Sequence, residues 1–231
     1  RVMRSPHHSA SSVALVGGGS PARPGEVSLA HDGVLFLDEL RELPRAALEA
    51  LREPMETGCI TISRAARRND FPARFQLLSA MKPCPCGYLG DPSGRCRCSA
   101  EQIQRYRSKL SGPLLDRIDL HLHVAREATA LHANPDSASS SAQAAATVAA
   151  ARQRQEQRQG GANAFLDLQQ LRQHCGLSDA DQHWLESACE RLGLSLRAAH
   201  RLLKVARTLA DLDAVDAIQR SHLAEALQYR P

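Results

Sequence analysis

Two groups of residues in this 231-residue chain have types and spacings that could do chemistry. The first is Asp38-Glu39, two adjacent carboxylates that end the run Gly33-Val34-Leu35-Phe36-Leu37. Consecutive apolar residues after a glycine predict a strand buried on both faces, as in a parallel sheet. Carboxylates at the end of such a strand lie where open α/β sheets bind ligands. There Asp38 can hold a hydrated Mg²⁺ on a nucleotide, and Glu39 can orient an attacking water, as in a Walker B element. A strand that merely meets solvent at the two carboxylates is the competing reading. The second group is Cys84-x-Cys86 and Cys96-x-Cys98, with nine residues between the pairs, among them Gly87, Gly90 and Gly94. Four thiolates gathered by a glycine-rich loop suit tetrahedral Zn²⁺, in a structural site with no position left open for water. Four reduced thiols, or one disulfide, are the alternatives. Cys59, Cys175 and Cys189 have no partners in sequence and read as buried.

The elements that position these groups fall into two parts. Val34 to Leu37 and Phe75 to Ala80 read as strands, and His121 to Val124 as a shorter third. Between the first two, Pro44 to Thr57 reads as one helix with Leu48, Leu51 and Met55 on a face, ended by Gly58. Cys59 to Ser63 and Ala73 to Leu77 then read as the arms of a β-hairpin around a polar tip. The composition changes at about Arg126. Residues 127–141 contain an Ala/Ser/Asn/Pro-rich stretch and read as a linker, and 142–231 read as helical throughout. Ala142 to Arg158 stops at Gly160-Gly161; Ser178 and Ser195 cap helices, and Ser221 starts the last. The expected fold is thus α/β, a parallel-sheet core with inserted hairpins over 1–126, followed by a small all-α domain.

Composition sets outer bounds. A hydrophobic fraction of 43% suits a globular protein, and no stretch reaches the ~18 apolar residues of a membrane span. The polar start of the chain reads as no secretory leader, which places the protein in the cytoplasm. Seven cysteines in that reducing setting favour metal over disulfide. The net charge of +4 is uneven: through Arg126 there are 18 basic and 13 acidic residues, and after it 11 and 12. A positive first half permits contact with phosphates or nucleic acid. The pair His7-His8 reads as a loop pair that packs or hydrogen-bonds, with metal ligation as the alternative.

Longer motifs carry a family resemblance. They are Arg4-Ser5-Pro6-His7-His8, Val13 to Gly19, Arg23 to His31, Gly33 to Leu40, Thr61 to Ala65, Pro83-Cys84-Pro85-Cys86-Gly87, and Leu110 to Asp119. With them the chain resembles the AAA+ ATPases of the magnesium-chelatase-like group, and most closely the ComM/YifB family. The resemblance implies an AAA+ core and a helical lid, with ATP and Mg²⁺ as cofactors. It also implies a homo-hexameric ring, with DNA as the partner. The G-x-x-x-x-G-K-[ST] loop that cradles phosphates in that family is not in this sequence, and Gly17-Gly18-Gly19 does not replace it. The chain therefore reads as starting downstream of that loop, and by itself is expected to bind nucleotide poorly and to be inactive.

The resemblance assigns further roles residue by residue. Asp38 would coordinate Mg²⁺ through water and Glu39 would polarise the hydrolytic water. Lys82 stands at the sensor-1 position, where the family reads Met-Asn-Pro-Cys-Pro-Cys-Gly. Asparagine both donates and accepts, whereas lysine only donates, so Lys82 either contacts phosphate or weakens hydrolysis. Arg117 resembles the arginine finger offered to a neighbouring subunit, a local ion pair being the alternative. Arg197 resembles the sensor-2 arginine of the lid, with Arg201 one turn on as its substitute. Arg64, Arg67 and Arg68 lie at a hairpin tip of the kind that points into the pore of related rings, where they could track a nucleic-acid backbone. With aromatics at 3%, base stacking is not the main grip. The expected function is an ATP-driven motor on DNA, a helicase for branch migration in natural transformation. The alternatives are a magnesium-chelatase motor subunit and a non-hydrolysing ring or adaptor component.

Overall fold

The computed structural model describes residues 2–64, 67–124 and 140–230, which divide into two compact units, one through Ile118 and one from Asp119. In the first unit, β1 (Met3–Arg4) is followed by α1 (Ser12–Val16) and the short ladder of β2 (Gly17–Gly18) with β3 (Arg23–Pro24). After α2 (Glu26–Leu29) comes β4 (Val34–Leu37), a 3₁₀ turn at Leu40–Glu42, and helices α3 (Arg45–Ala50) and α4 (Arg52–Thr57). The hairpin β5 (Cys59–Arg64) and β6 (Arg67–Pro72) precedes β7 (Gln76–Ser79), α5 (Ala100–Arg107) and α6 (Gly112–Leu115). The central sheet runs β1-β4-β7, all parallel, with Leu35 opposite Leu77 and Leu37 opposite Ser79. Its β4 strand is not buried on both faces, as its unbroken apolar run predicts. Leu35 and Leu37 are buried, but Val34 and Phe36 are only half-buried, so one face carries the core with Leu15, Val27, Leu48 and Leu51.

Three other elements depart from the sequence-based expectation for local reasons. The helix expected over Pro44 to Thr57 is split at Leu51. Pro54 has no N–H to give the carbonyl of Ala50, and its ring crowds that turn. The hairpin's second arm is Arg67–Pro72, not Ala73 to Leu77: Ile60 pairs with Phe71 and Thr61 with Asp70. The polar residues expected to form the tip continue the ladder, which frees Phe75 and Leu77 to pack on the core. Residues His121 to Val124 form no strand; the His121 N–H donates to the Tyr229 carbonyl within the second unit.

Helices build the second unit: α7 (Ser141–Gln159), α8 (Leu168–His174), α9 (Asp179–Arg191), α10 (Leu196–Leu212) and α11 (Arg220–Gln228). Ser178 and Ser195 cap α9 and α10 by accepting the N–H groups of Asp181 and Ala198. The last helix starts one residue earlier than Ser221 and is capped by Gln219. Most of the expected linker over 127–141 lies outside the described residues. Leu171, Leu202, Ala206 and Leu223 form the core. Beside it lies a buried charge network: Asp211 accepts from both terminal nitrogens of Arg158 (2.6 and 2.9 Å) and from Asn163 (2.8 Å), and pairs with Arg207 (3.1 Å). No described helix is long and apolar enough to cross a membrane.

Burial pushes the Asp211 carboxyl upward, but Arg158, Asn163 and Arg207 together outweigh it and hold the group below the usual carboxylate range. A depressed folded value contributes stability above the unfolded value, lost as pH falls through the folded one. Asp211→Asn strands two guanidinium groups and should cost about 3 kcal/mol at neutral pH. The deficit should shrink below roughly pH 4. The chain's single tryptophan, Trp184, packs against this core, so its fluorescence during urea unfolding at several pH values measures both effects.

Candidate nucleotide-hydrolysis site

The carboxylate pair stands where β4 ends. Residue Gly33 directly precedes that strand, and a Cβ there would lie 2.1 Å from the Val2 carbonyl oxygen. Only a residue without a side chain lets β1 pair this closely with β4. At the other end, the Leu37 carbonyl accepts the Ala80 N–H (3.1 Å) and the Ala80 carbonyl accepts the Leu40 N–H (2.9 Å). These two bonds carry the β4–β7 pairing past Asp38 and Glu39. They bring the residues just after β7 beside the carboxylates.

Glu39 has a left-handed backbone, with φ 49° and ψ 47°. A glutamate in that region stores strain of order 1 kcal/mol, and its position is fixed by the flanking hydrogen bonds. Its N–H donates to Asp38 Oδ1 (2.8 Å), which orients the exposed Asp38 carboxylate at the strand end. One Glu39 oxygen accepts from Lys82 Nζ at 2.7 Å, and the other lies 3.6 Å from His8 Nδ1. The Lys82 ammonium, chiefly, with smaller help from His8 and His7, holds the Glu39 carboxyl below its ordinary range. Lys82 is raised in return by Glu39. His7 stacks on His8 with ring centroids 4.0 Å apart, and its Nδ1 meets the Ser9 hydroxyl at 2.9 Å.

A basic layer lies next to this cluster. Arg41 is buried, with its guanidinium 4.9 Å from the centre of the Tyr106 ring and Lys109 Nζ 5.5 Å from it. Lys109 also bonds Glu42 at 3.2 Å. The hydroxyl of Tyr106 is pushed up, first by burial and then by Glu42. None of His8, Arg41 and Tyr106 was singled out for this site from sequence. For His8 the signal was the Pro6-His7-His8 motif, whose loop reading omitted the contact with Glu39. For Arg41 and Tyr106 no spacing carried it.

The other sequence-predicted residues are distributed as follows. Arg117 is turned inward, with its side chain 9% exposed. It donates to the Pro113 carbonyl at 2.6 Å and pairs with Glu56. This is the local pairing weighed against the finger role, though the acid is Glu56 and not Asp116 or Asp119. Arg197 lies in the first turn of α10, and Arg201 pairs with Asp119 at 2.8 Å, both within the second unit. Arg64 and Arg67 are opposite each other at the turn between β5 and β6; their side chains lie outside the described residues. Arg68 is exposed and reaches Asp70 at 3.3 Å, while Thr61 donates to the same oxygen at 2.6 Å. The four cysteines come together, with all four sulfurs within 4.8 Å of one another, an arrangement able to hold a metal. Hydrogen bonds from the backbone at Tyr88 and Arg97 pull the Cys86 thiol down to about 6. A backbone bond at Cys86 lowers Cys98 as well, but the neighbouring sulfurs and burial outweigh it and raise Cys98 to about 12.

Comparison with known proteins agrees with this geometry. Residues 1–131 match the family profile described as magnesium chelatase, subunit ChlI, and residues 138–230 match the one described as its C-terminal part. The chain belongs to this magnesium chelatase ChlI family. Within the family, it is 52% identical over its whole length to the uncharacterized protein YifB of Escherichia coli and 50% identical to competence protein ComM of Haemophilus influenzae. It spans about 45% of the length of each. A distant likeness, 24% over 88% of the chain and 25% of the relative, links it to the maternal DNA replication licensing factor mcm6 of Xenopus tropicalis. The three-stranded parallel sheet and the helical C-terminal unit are those of a partial AAA+ core of this magnesium chelatase type.

The Lys82–Glu39 pair gives a direct test of the site's electrostatics. Lys82→Met should shift the Glu39 carboxyl titration upward, toward the ordinary glutamate value of about 4.3. Carbon-13 NMR of the glutamate carboxyls, with Glu39→Gln to assign the resonance, reads the shift. An unmoved titration would mean that the pair does not form in solution.

Proposed function

We propose that the chain is part of an ATP-driven motor acting on DNA, with Asp38 and Glu39 as the metal and water residues of its hydrolysis site. The observation that carries this is the carboxylate pair at the carboxyl end of the middle strand of a parallel sheet. That is the place where doubly wound sheets bind ligands. The exposed Asp38 carboxylate suits Mg²⁺, which keeps most of its waters and takes one or two carboxylates with nucleotide phosphates. When bound, the ion neutralises charge on the phosphates. Glu39 supplies a carboxylate to orient and polarise water, and the Lys82 ammonium at 2.7 Å must be displaced from it first. Lys82 therefore restrains the glutamate. Arg117 would serve a neighbouring subunit of a homo-hexamer only after leaving Glu56. Arg197 would reach phosphates from the lid. The distant relative mcm6 is named for DNA replication, which supports DNA as the track. Arg64, Arg67 and Arg68 would then grip its backbone.

A second reading is a non-hydrolysing ring or adaptor component, favoured by the same Lys82–Glu39 pair because it occupies the residue that would polarise water. The full-length protein separates the two. ATPase activity should rise with added DNA, fall by about a hundredfold or more in Glu39→Gln, and increase in Lys82→Asn. Absence of hydrolysis in both the parent and Lys82→Asn would favour the adaptor. Replacing Arg64, Arg67 and Arg68 by Ser should weaken DNA binding across sequences. It should also reduce the salt slope by about 0.7 to 0.9 per lost phosphate contact. An unchanged slope would remove the hairpin from the interface.

A further inference from the structure

We infer that Cys84, Cys86, Cys96 and Cys98 bind one zinc ion, and that the ion joins the end of β7 to the start of α5. The sulfur geometry carries the first part. Zinc–thiolate bonds of about 2.3 Å in a regular tetrahedron place the sulfurs about 3.8 Å apart. The separations here are 3.4 Å for Cys84–Cys86, 3.6 Å for Cys86–Cys96 and 3.8 Å for Cys84–Cys96. Disulfide sulfurs stand at about 2.05 Å, and all four thiols are unbridged. Hard cations that prefer oxygen do not suit four sulfur donors; zinc does. Cys84 is fully buried and the other three are half-buried, which limits the site to a closed, structural role.

The loop between the pairs is built to present the sulfurs. The Gly87 N–H donates to the Cys84 carbonyl at 3.0 Å, turning the chain tightly after Cys86, and Gly87 has φ 81°. A second pair of turns follows, Asp91 N–H to Tyr88 and Gly94 N–H to Asp91, and Arg95 lies over the Tyr88 ring at 4.5 Å. Both ends of the loop lead to the carboxylate cluster. Lys82 lies two residues before Cys84, and a Cβ on Gly87 would stand 3.9 Å from Lys82 Cδ, so the first turn packs along the lysine stem. Cys98 directly precedes Ser99, which caps α5 through a reciprocal bond pair with Gln102. That helix carries Tyr106 into the layer beneath Arg41. One ion would therefore tie two segments that both border Glu39.

Full-length protein purified under reducing conditions should contain one zinc per chain. After chelation, Co²⁺ should give the intense visible spectrum of tetrahedral thiolate coordination, absent in Cys96→Ser/Cys98→Ser. Zinc removal should raise amide exchange in residues 80–107 by tenfold or more while leaving residues 141–230 unchanged. Zinc well below one per chain with free thiols and no tetrahedral cobalt spectrum would overturn the site. Full metal with unaltered exchange after its removal would overturn the linkage. Neither readout depends on ATP hydrolysis, so each stands or falls apart from the motor reading.

Discussion

The hydrogen-bonded pairing of β4 with β7 is the constraint on which the site depends. Each strand has only four residues, and neither would be stable alone. Their ladder brings Glu39 and Lys82, 43 residues apart in sequence, together at the carboxyl end of one sheet. The Leu40 N–H bonded to the Ala80 carbonyl is the final rung. Because it lies beyond Glu39, it holds the glutamate backbone in its left-handed conformation. The register also fixes which residue faces the carboxylate, since a slip by one would turn each side chain to the opposite face. Gly33 sets the same limit on the other edge, where backbone meets backbone with no room for a side chain.

The two units are stabilised by different means. In the first, apolar side chains from one face of the sheet meet α1, α2 and α3. The second places a fully desolvated Asp211 between two arginines next to its apolar core. A buried ion group of this kind is weak evidence for high stability, because desolvation offsets much of its attraction. It does fix geometry. Arg158 on α7, Asn163 on the following 3₁₀ turn and Asp211 on α10 must all be in place for the carboxylate to be satisfied.

Much of this was legible in the sequence where a local rule decided the outcome. The strand before Asp38, the glycine that ends α4, the serine caps of α9 and α10 and the grouping of the four cysteines all follow from neighbouring residues. Expectation failed where two local rules competed or where distance mattered. Pro54 sits in an otherwise good amphipathic helix, and its missing N–H prevailed over the apolar spacing. The hairpin ladder extended through Arg67 to Asp70 because backbone pairing tolerates polar side chains on an exposed ribbon. The contacts of Glu39 with Lys82 and His8, and of Arg117 with Glu56, join residues far apart in sequence. No periodicity encodes such meetings. The resemblance assigns a role to the position of Lys82, but its pairing with Glu39 becomes visible only in the fold.

The inward Arg117 has a consequence for any ligand that would recruit it. Within one chain, Glu56 is always present at a high local concentration, so it is a standing competitor for the guanidinium. A phosphate or carboxylate offered from outside gains only the difference between its own interaction and the one already made. Recruitment is thus an exchange of anions and not a simple addition. Its affinity would depend on how readily Glu56 finds water or another cation once released.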